Sequence, residues 1–411
     1  MNLIEKAAKI LEEPVCDHCL GRQFAMLLSG YTNSERGRMI RNIIAMTIDS
    51  KNININNLEM SNFHNYKFHD EELADIKINK KKCAICNDIF DKLDVYVKEI
   101  EKNAKKIEFK TFLIGTQLPF ELIEKEEKLW ERVGIEYCEP LKAELNREIG
   151  KLVEKRLKVK FNSKRPDVNF VIDIGRKKVK MEIMPLFIYG EYQKLIRGIP
   201  QTKWPSGKYK TSVEQIIAKP FLSALLAKSQ KFHGSGREDI DARCLAWRPF
   251  VLEILAPKKR FINSRLLKKI AKKIPKNKIR VRNLRISDIN EVRKLKEERN
   301  DKVYRAVVVC DKKIKKDDLK KLQSLVGKIK QKTPQRVLHR RADKIRDRNL
   351  ISIKSKFINN NKFIIEVRCN AGLYVKELIS GDNGRTKPSV SELLGTNCKC
   401  IELDVIKIIK G

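Results

Sequence analysis

The chain has 411 residues, with 89 Lys and Arg against 52 Asp and Glu, for a formal charge of +37. That length exceeds what one ordinary core covers, so two or three domains are expected, and a hydrophobic content of 42% excludes a disordered polycation. So large an excess of one sign repels itself unless a polyanion neutralises it, which makes nucleic acid the leading partner; no apolar run is long enough to span a membrane.

The opening MNLIEKAAKILEEPVC sets charges among its apolar residues, unlike a secretory leader. Residues 3–11 carry a helical pattern that stops before Pro14, and Cys16-Asp-His-Cys19 follows at once. Helical patterns recur over 21–28 and 34–48, whereas the Asn-rich stretch 49–65 reads as a loop or weak strand. Cys83-Ala-Ile-Cys86 stands before a helix over 88–102, a strand over 107–115 follows, and 121–160 reads as one long charged helical run. Segments 168–174 and 179–188 pair as strands around the turn Gly175–Lys178.

Residues 189–209 lack periodicity and end in the turn signature Trp204-Pro-Ser-Gly207. A helix over 212–229 contains Pro220, predicted to kink or bound it. A glycine-rich loop at 234–243 and an apolar strand at 250–255 come next. Beyond these, strands are predicted at 279–285, 303–310, 350–356 and 362–369, with helices at 264–274, 288–297 and 316–329. The alternation points to an α/β or α+β domain with a substantial sheet, and the simplest division is 1–165 and 166–411.

Cys16, Cys19, Cys83 and Cys86 form two Cys-x-x-Cys pairs, the ligand set of a closed tetrahedral structural zinc site with no position left for a catalytic water. His18 lies within the first pair and is assigned a supporting or surface role. Ten cysteines are too sparse for a disulfide scaffold, so the reading is a reducing, cytoplasmic compartment. Cys398-x-Cys400 has spacing less suited to zinc and is read as strand packing or coincidence.

The strongest chemical signal is Gly-Ser-Gly-Arg-Glu-Asp-Ile-Asp-Ala-Arg over 234–243, which gathers three carboxylates and two guanidinium groups at a glycine-rich turn. A solvated, salt-bridged loop explains the composition equally well. Against it, Ile240, Cys244, Leu245 and the apolar run after them anchor the loop to a core. A carboxylate held beside arginine in a groove stays charged and oriented.

The stretch GSGREDIDARCLAWRPF resembles the active-site segment of the Pus10 type of archaeal and eukaryotic tRNA pseudouridine synthases. The run from Tyr374-Val-Lys376 through Gly-Asp382-Asn-Gly-Arg385 resembles a second signature of that family, and Tyr304 in KVYRAVVV is similar to its base-stacking tyrosine. The resemblance implies an α+β fold, in which a mixed, largely antiparallel catalytic sheet follows an N-terminal zinc-containing, THUMP-like RNA-binding domain. It implies catalytic roles for Asp239, Tyr304 and Lys376, the lysine on a strand beside the aspartate, with Asp241 the alternative carboxylate. It places Arg237, Asp241, Arg243, Arg248, Tyr374 and Arg385 at the RNA, Arg237 and Lys376 also keeping Asp239 ionised and Arg243 and Arg248 alternatively bracing the loop. Leu245-Ala-Trp247 stands where the family often has Gly-x-Gly before Arg-Pro-Phe, which changes the backbone conformations open there.

The implied substrate is tRNA, at uridine 55 of the TΨC arm with uridine 54 as a second position, without a redox or organic cofactor or an obligate protein partner. The basic tracts Lys203–Lys210, Lys258–Arg260 and Arg336–Arg348, with Trp204 and Tyr209 interleaved, are candidate tRNA tracks. Three other readings compete. A noncatalytic zinc-supported RNA-binding protein or chaperone leaves the 234–243 loop without purpose; a magnesium nuclease would need Glu238, Asp239 and Asp241 to converge despite two arginines; a basic scaffold ranks last.

Overall fold

A computed structural model describes residues 2–52, 57–74 and 77–409 and resolves two compact units, one ending at Met184 and the other beginning at Pro185. The first unit opens with α1 (Leu3–Ile10), started by an Asn2–Glu5 capping box and burying Ala7 and Ile10. The sulfur of Cys16 caps α2 (Asp17–Gly21), and a single 3-10 turn, Arg22–Phe24, replaces the longer helix predicted over 21–28. Next comes α3 (Asn33–Asp49), which packs so closely on α2 that a Cβ on Gly37 would stand 1.9 Å from the Asp17 carbonyl. A 3-10 turn at Met60–Phe63 falls in the predicted loop, of which residues 53–56 lie outside the described residues.

After α4 (Glu71–Ala74) and α5 (Leu93–Ala104) comes β1 (Thr111–Gln117). The predicted single run over 121–160 is two helices, α6 (Phe120–Val133) and α7 (Leu141–Leu157): Gly134 at φ 77° ends one and Pro140 begins the other. With β2 (Lys160–Phe161), β3 (Val168–Asp173) and β4 (Lys178–Ile183), β1 forms a sheet of order β2-β1-β3-β4, parallel on both sides of β1 and antiparallel between β3 and β4. Because β3 runs in register with β1 from Phe112–Val168 to Gln117–Asp173, the unit extends past the predicted division near 165. Val168, Phe170 and Ile172 alternate into its core.

The second unit contains β5 (Leu186–Lys194), α8 (Val213–Leu225), β6 (Ser229–Gly234), β7 (Arg243–Leu255), α9 (Ser264–Ala271), β8 (Ile279–Ser287), α10 (Ile289–Glu297) and β9 (Asp301–Cys310). It continues with β10 (Gly327–Lys332), β11 (Ile345–Asn359), β12 (Lys362–Cys369), α11 (Val375–Ser380), β13 (Thr386–Lys387), α12 (Val390–Leu394) and β14 (Cys398–Ile409). The helix predicted over 316–329 is a 3-10 run, Lys316–Leu325, followed directly by β10, and Pro220 is accommodated inside α8. The sheet order is β13-β10-β11-β12-β9-β14-β7-β5-β8, with β6 also on β7. Every pairing is antiparallel except β14 with β7, which meet in parallel at Asp404–Arg243 and Val405–Cys244. Thus β7 lies against β14 at its start and against β5 and β6 further on, joining two half-sheets. One half packs Ile188, Tyr192, Phe250 and Leu252 with α8 and α9; the other packs Phe363, Ile365 and Val367 with α11 and α12. Cys398 on β14 faces Cys310 on β9, matching the strand-packing expectation.

Candidate active site

The segment between β6 and β7, Ser235–Ala242, leaves the sheet at the joint between its halves. Gly236 sits at φ 76°, open to glycine at little cost, and a Cβ there would stand 3.1 Å from Arg248 Nη1. The next charged residues separate by direction. Glu238 turns inward, where its carboxylate accepts from the Tyr192 hydroxyl at 3.1 and 3.0 Å and pairs with Arg248 Nε at 3.1 Å; both side chains are 0% exposed. Arg248 also donates to the Ser235 carbonyl at 2.8 Å, so it braces the loop and is out of reach of RNA. The chain departing from Gly-x-Gly at Leu245–Trp247 runs as continuous β7.

Asp239 turns outward into an open cleft of about 1090 Å³. Its two oxygens meet Arg336 Nη1 at 3.3 Å and Nη2 at 3.2 Å, and Lys376 Nζ lies 3.6 Å from Oδ2. Arg336 comes from the 3-10 turn Gln335–Arg340 and is itself fixed by Glu377 at 2.6 Å. In the sequence this residue stands only within a basic tract, and of the two cations expected beside Asp239, Lys376 is there whereas Arg237 lines the cleft as an exposed side chain. Lys376 binds Asp241 more closely, at 2.6 and 2.7 Å. Burial would raise the Asp241 carboxyl, but the Lys376 ammonium overrides it and holds the group below the ordinary range.

Lys376 stands in the first turn of α11 rather than on a strand: Val375, Leu378 and Ile379 are buried at helical spacing, and Gly381 at φ 78° ends the helix. The signature after it has a structural use. Asp382 accepts from the Gln335 amide at 3.0 Å, and Arg385 donates to the Thr333 carbonyl at 3.0 and 2.8 Å and pairs with Asp343. Arg385, expected at RNA, therefore holds the segment that carries Arg336. Arg243, given the same assignment or a brace, is on Asp404 at 2.9 and 2.6 Å. Tyr374 does line the cleft, with Arg341 Nη1 donating to its hydroxyl at 2.6 Å and Arg336 over its ring at 6.0 Å.

Tyr304 reaches the same cleft from β9. Burial, reinforced by negative groups that include Asp239, pushes its phenol well above the ordinary value, so it is a proton-bearing hydroxyl at neutral pH. Lys194 supports the loop from below. Fully buried on β5, its ammonium donates to the carbonyls of Ile199, Asp239 and Ile240 at 2.9, 3.2 and 3.1 Å. Trp204 and Tyr209 pack edge to face at 5.5 Å on the cleft wall, which also takes Arg341, Arg346 and Arg348 from the 336–348 tract; the 258–260 tract does not line it.

In the first unit, the sulfurs of Cys16, Cys19, Cys83 and Cys86 lie within 4.8 Å of one another, with Cys16 and Cys86 3.6 Å apart. A tetrahedral tetrathiolate with bonds of about 2.3 Å has edges of roughly 3.8 Å, so the donor set fits a structural metal ion. His18 points elsewhere, its Nδ1 donating to the Glu144 carboxylate at 2.8 Å and its ring stacking on Phe90 at 4.1 Å.

A family model described as Pus10, C-terminal matches residues 187–409, and one described as the archaeal Pus10 THUMP domain matches 96–173. A relative from Pyrococcus furiosus, tRNA pseudouridine synthase Pus10, is 39% identical over 412 residues, covering 99% of this chain and 98% of its own. The protein of the same name from Methanocaldococcus jannaschii is 42% identical over 425 residues, covering 96% and 92%. With models matched in both units and relatives aligned nearly end to end, the chain belongs to the Pus10 family, whose curated members are named tRNA pseudouridine synthases.

Proposed function

We propose that this protein isomerises uridine to pseudouridine in tRNA, with Asp239 as its catalytic carboxylate. The observation carrying this reading is the one outward carboxylate of the loop that two cations grip from one side, Arg336 through two contacts and Lys376 through a longer one. Ion pairing of this kind keeps a carboxylate charged and aimed. The reaction breaks the bond from N1 of the base to C1′ of the ribose, turns the base, and joins C5 to C1′; the proton on C5 leaves and N1 gains one, so the change is an isomerisation. Asp239 either attacks C1′ or takes the ribose proton whose loss gives a glycal. Tyr304 offers a face to the displaced base and a protonated hydroxyl for proton relay.

Two features weigh against a magnesium nuclease. Glu238 is turned into the core and bound by Arg248, and Asp239 and Asp241 are already paired with cations, so the three carboxylates do not converge. A purely RNA-binding role leaves the gripped carboxylate without use. The four-cysteine cluster is assigned a structural zinc ion.

The target position within tRNA is proposed as uridine 55, with uridine 54 second. Chemical mapping of pseudouridine on unmodified transcripts, with each uridine replaced in turn by cytidine, reads this directly. Signal at 55 that disappears with the 55 replacement is the expected result; modification confined to another arm would contradict it.

A further inference from the structure

Arg348 is a cation of the cleft wall shared between two cavities. It lines the reaction cleft and also a second cavity of about 520 Å³ formed with Arg299, Lys328, Asp347, Asn349, Asn370 and Ala371. Its guanidinium lies flat on the backbone at Gly372, which is at φ 93° and whose added Cβ would stand 3.1 Å from both Nε and Nη2. The glycine therefore makes room for the side chain. Its Nη1 donates to the neighbouring Asp347 carbonyl at 3.3 Å, and its Nε is buried without a partner among the described residues. The cavity's only carboxylate, on Asp347, is taken by Lys328 at 2.7 Å. What is left is a planar fork of N–H donors with an exposed Arg299 beside it and, among the described residues lining the cavity, no free carboxylate to satisfy it.

From this geometry we infer that Arg348 and Arg299 form a phosphodiester subsite, which holds the RNA backbone next to the uridine in the cleft. The inference rests on the proposed function for the identity of the RNA, and on the cavity itself for the anion. A guanidinium fork suits phosphate oxygens in two-point contact, and a buried donor left unpaired in the free protein gains its bond on binding. The subsite fixes where the strand leaves the cleft, so it acts on register more than on the chemical step.

The test is a double cycle on the full chain. Unmodified tRNA is assembled with one methylphosphonate at a time, at each linkage within about three nucleotides of the target uridine, and is assayed with the native protein, Arg348→Gln, Arg348→Lys and Arg299→Gln. Arg348→Gln is expected to raise KM and Kd about tenfold or more with a single-turnover rate at saturation close to native. One linkage, or two adjacent ones, should cost the native protein a similar factor and cost Arg348→Gln nothing further. Lysine should recover part of the loss, and Arg299→Gln should couple to the same or the next linkage. Losses that simply multiply at every linkage would overturn the subsite. If no tRNA is isomerised by the native protein, the functional reading falls, and the same cycle read in Kd still decides the subsite.

Discussion

Lys194 shows how much of the site depends on a residue that never reaches it. Burial disfavours its charge and lowers its pKa, opposed by Glu238 and more weakly by Asp241 and Asp239, while its Nζ donates to three carbonyls. The Asp239 and Ile240 carbonyls each accept a backbone amide as well, from Ala242 and Gly198, whereas Ile199 gains its bond from the lysine. Lys194→Met should therefore cost about 1–3 kcal/mol of stability, measured by denaturant unfolding, and lower kcat more than it raises KM by loosening the loop. At Arg336, lysine keeps the charge and loses the two-point contact, so Arg336→Lys should reduce kcat about tenfold with RNA affinity close to native. An unchanged kcat would remove Arg336 from the catalytic apparatus. Of the cleft residues, Asp239, Tyr304 and Lys376 were open to assignment from the sequence because each sits in a short motif that resembles the family's, and all three line one cleft. Arg336 was not, since it meets the aspartate across 97 positions of chain, and a basic tract gives no sign of which member turns inward. For Arg248 the sequence leaves RNA contact and bracing of the loop both open, and it sits inside, on Glu238 and the Ser235 carbonyl, because nothing in the sequence marks Glu238 as the acid of the loop that turns into the core.

Among the elements, the parallel joint between β7 and β14 positions the cleft. Asp404 on β14 receives Arg243 at 2.9 and 2.6 Å and Arg197 at 2.7 Å. Burial would raise its carboxyl, but the two guanidinium groups override it and hold the group below the ordinary range. A carboxyl depressed in the folded state contributes stability in full above its unfolded value near pH 4 and loses it as pH falls through the folded value. Asp404→Asn should thus cost about 2 kcal/mol at neutral pH, with the gap to the native protein closing below about pH 4; a gap constant with pH would contradict the ion-pair account. In the first unit, the cysteine pairs stand at the start of α2 and just before the 3-10 turn Ile89–Lys92, so one ion would tie segments 70 residues apart. Metal analysis should find about one zinc per chain, and Cys83→Ser should lose it and unfold that unit at lower temperature. Element types were readable from periodicity and composition. Their ends were less so: the run over 121–160 kept its helical pattern across Gly134 and Pro140, and the strands at 168–183 gave no hint of which sheet they would join.

For the molecule as a whole, the +37 charge favours a polyanionic partner, and several of its arginines gather on one cleft. No helix among the described residues is long and apolar enough to cross a membrane. RNA affinity should fall steeply and linearly on a log–log scale with salt, as counterion release requires, and Asp239→Ala should leave that slope unchanged because it removes no cation. The central claim is that binding and isomerisation separate at Asp239. The direct measurement compares native and Asp239→Ala protein on unmodified tRNA, mapping pseudouridine chemically while measuring Kd on the same transcript. The account predicts site-specific pseudouridine from the native protein, none from the variant, and a Kd within a few-fold between them; pseudouridine formed by Asp239→Ala would contradict it and move the catalytic role to Asp241.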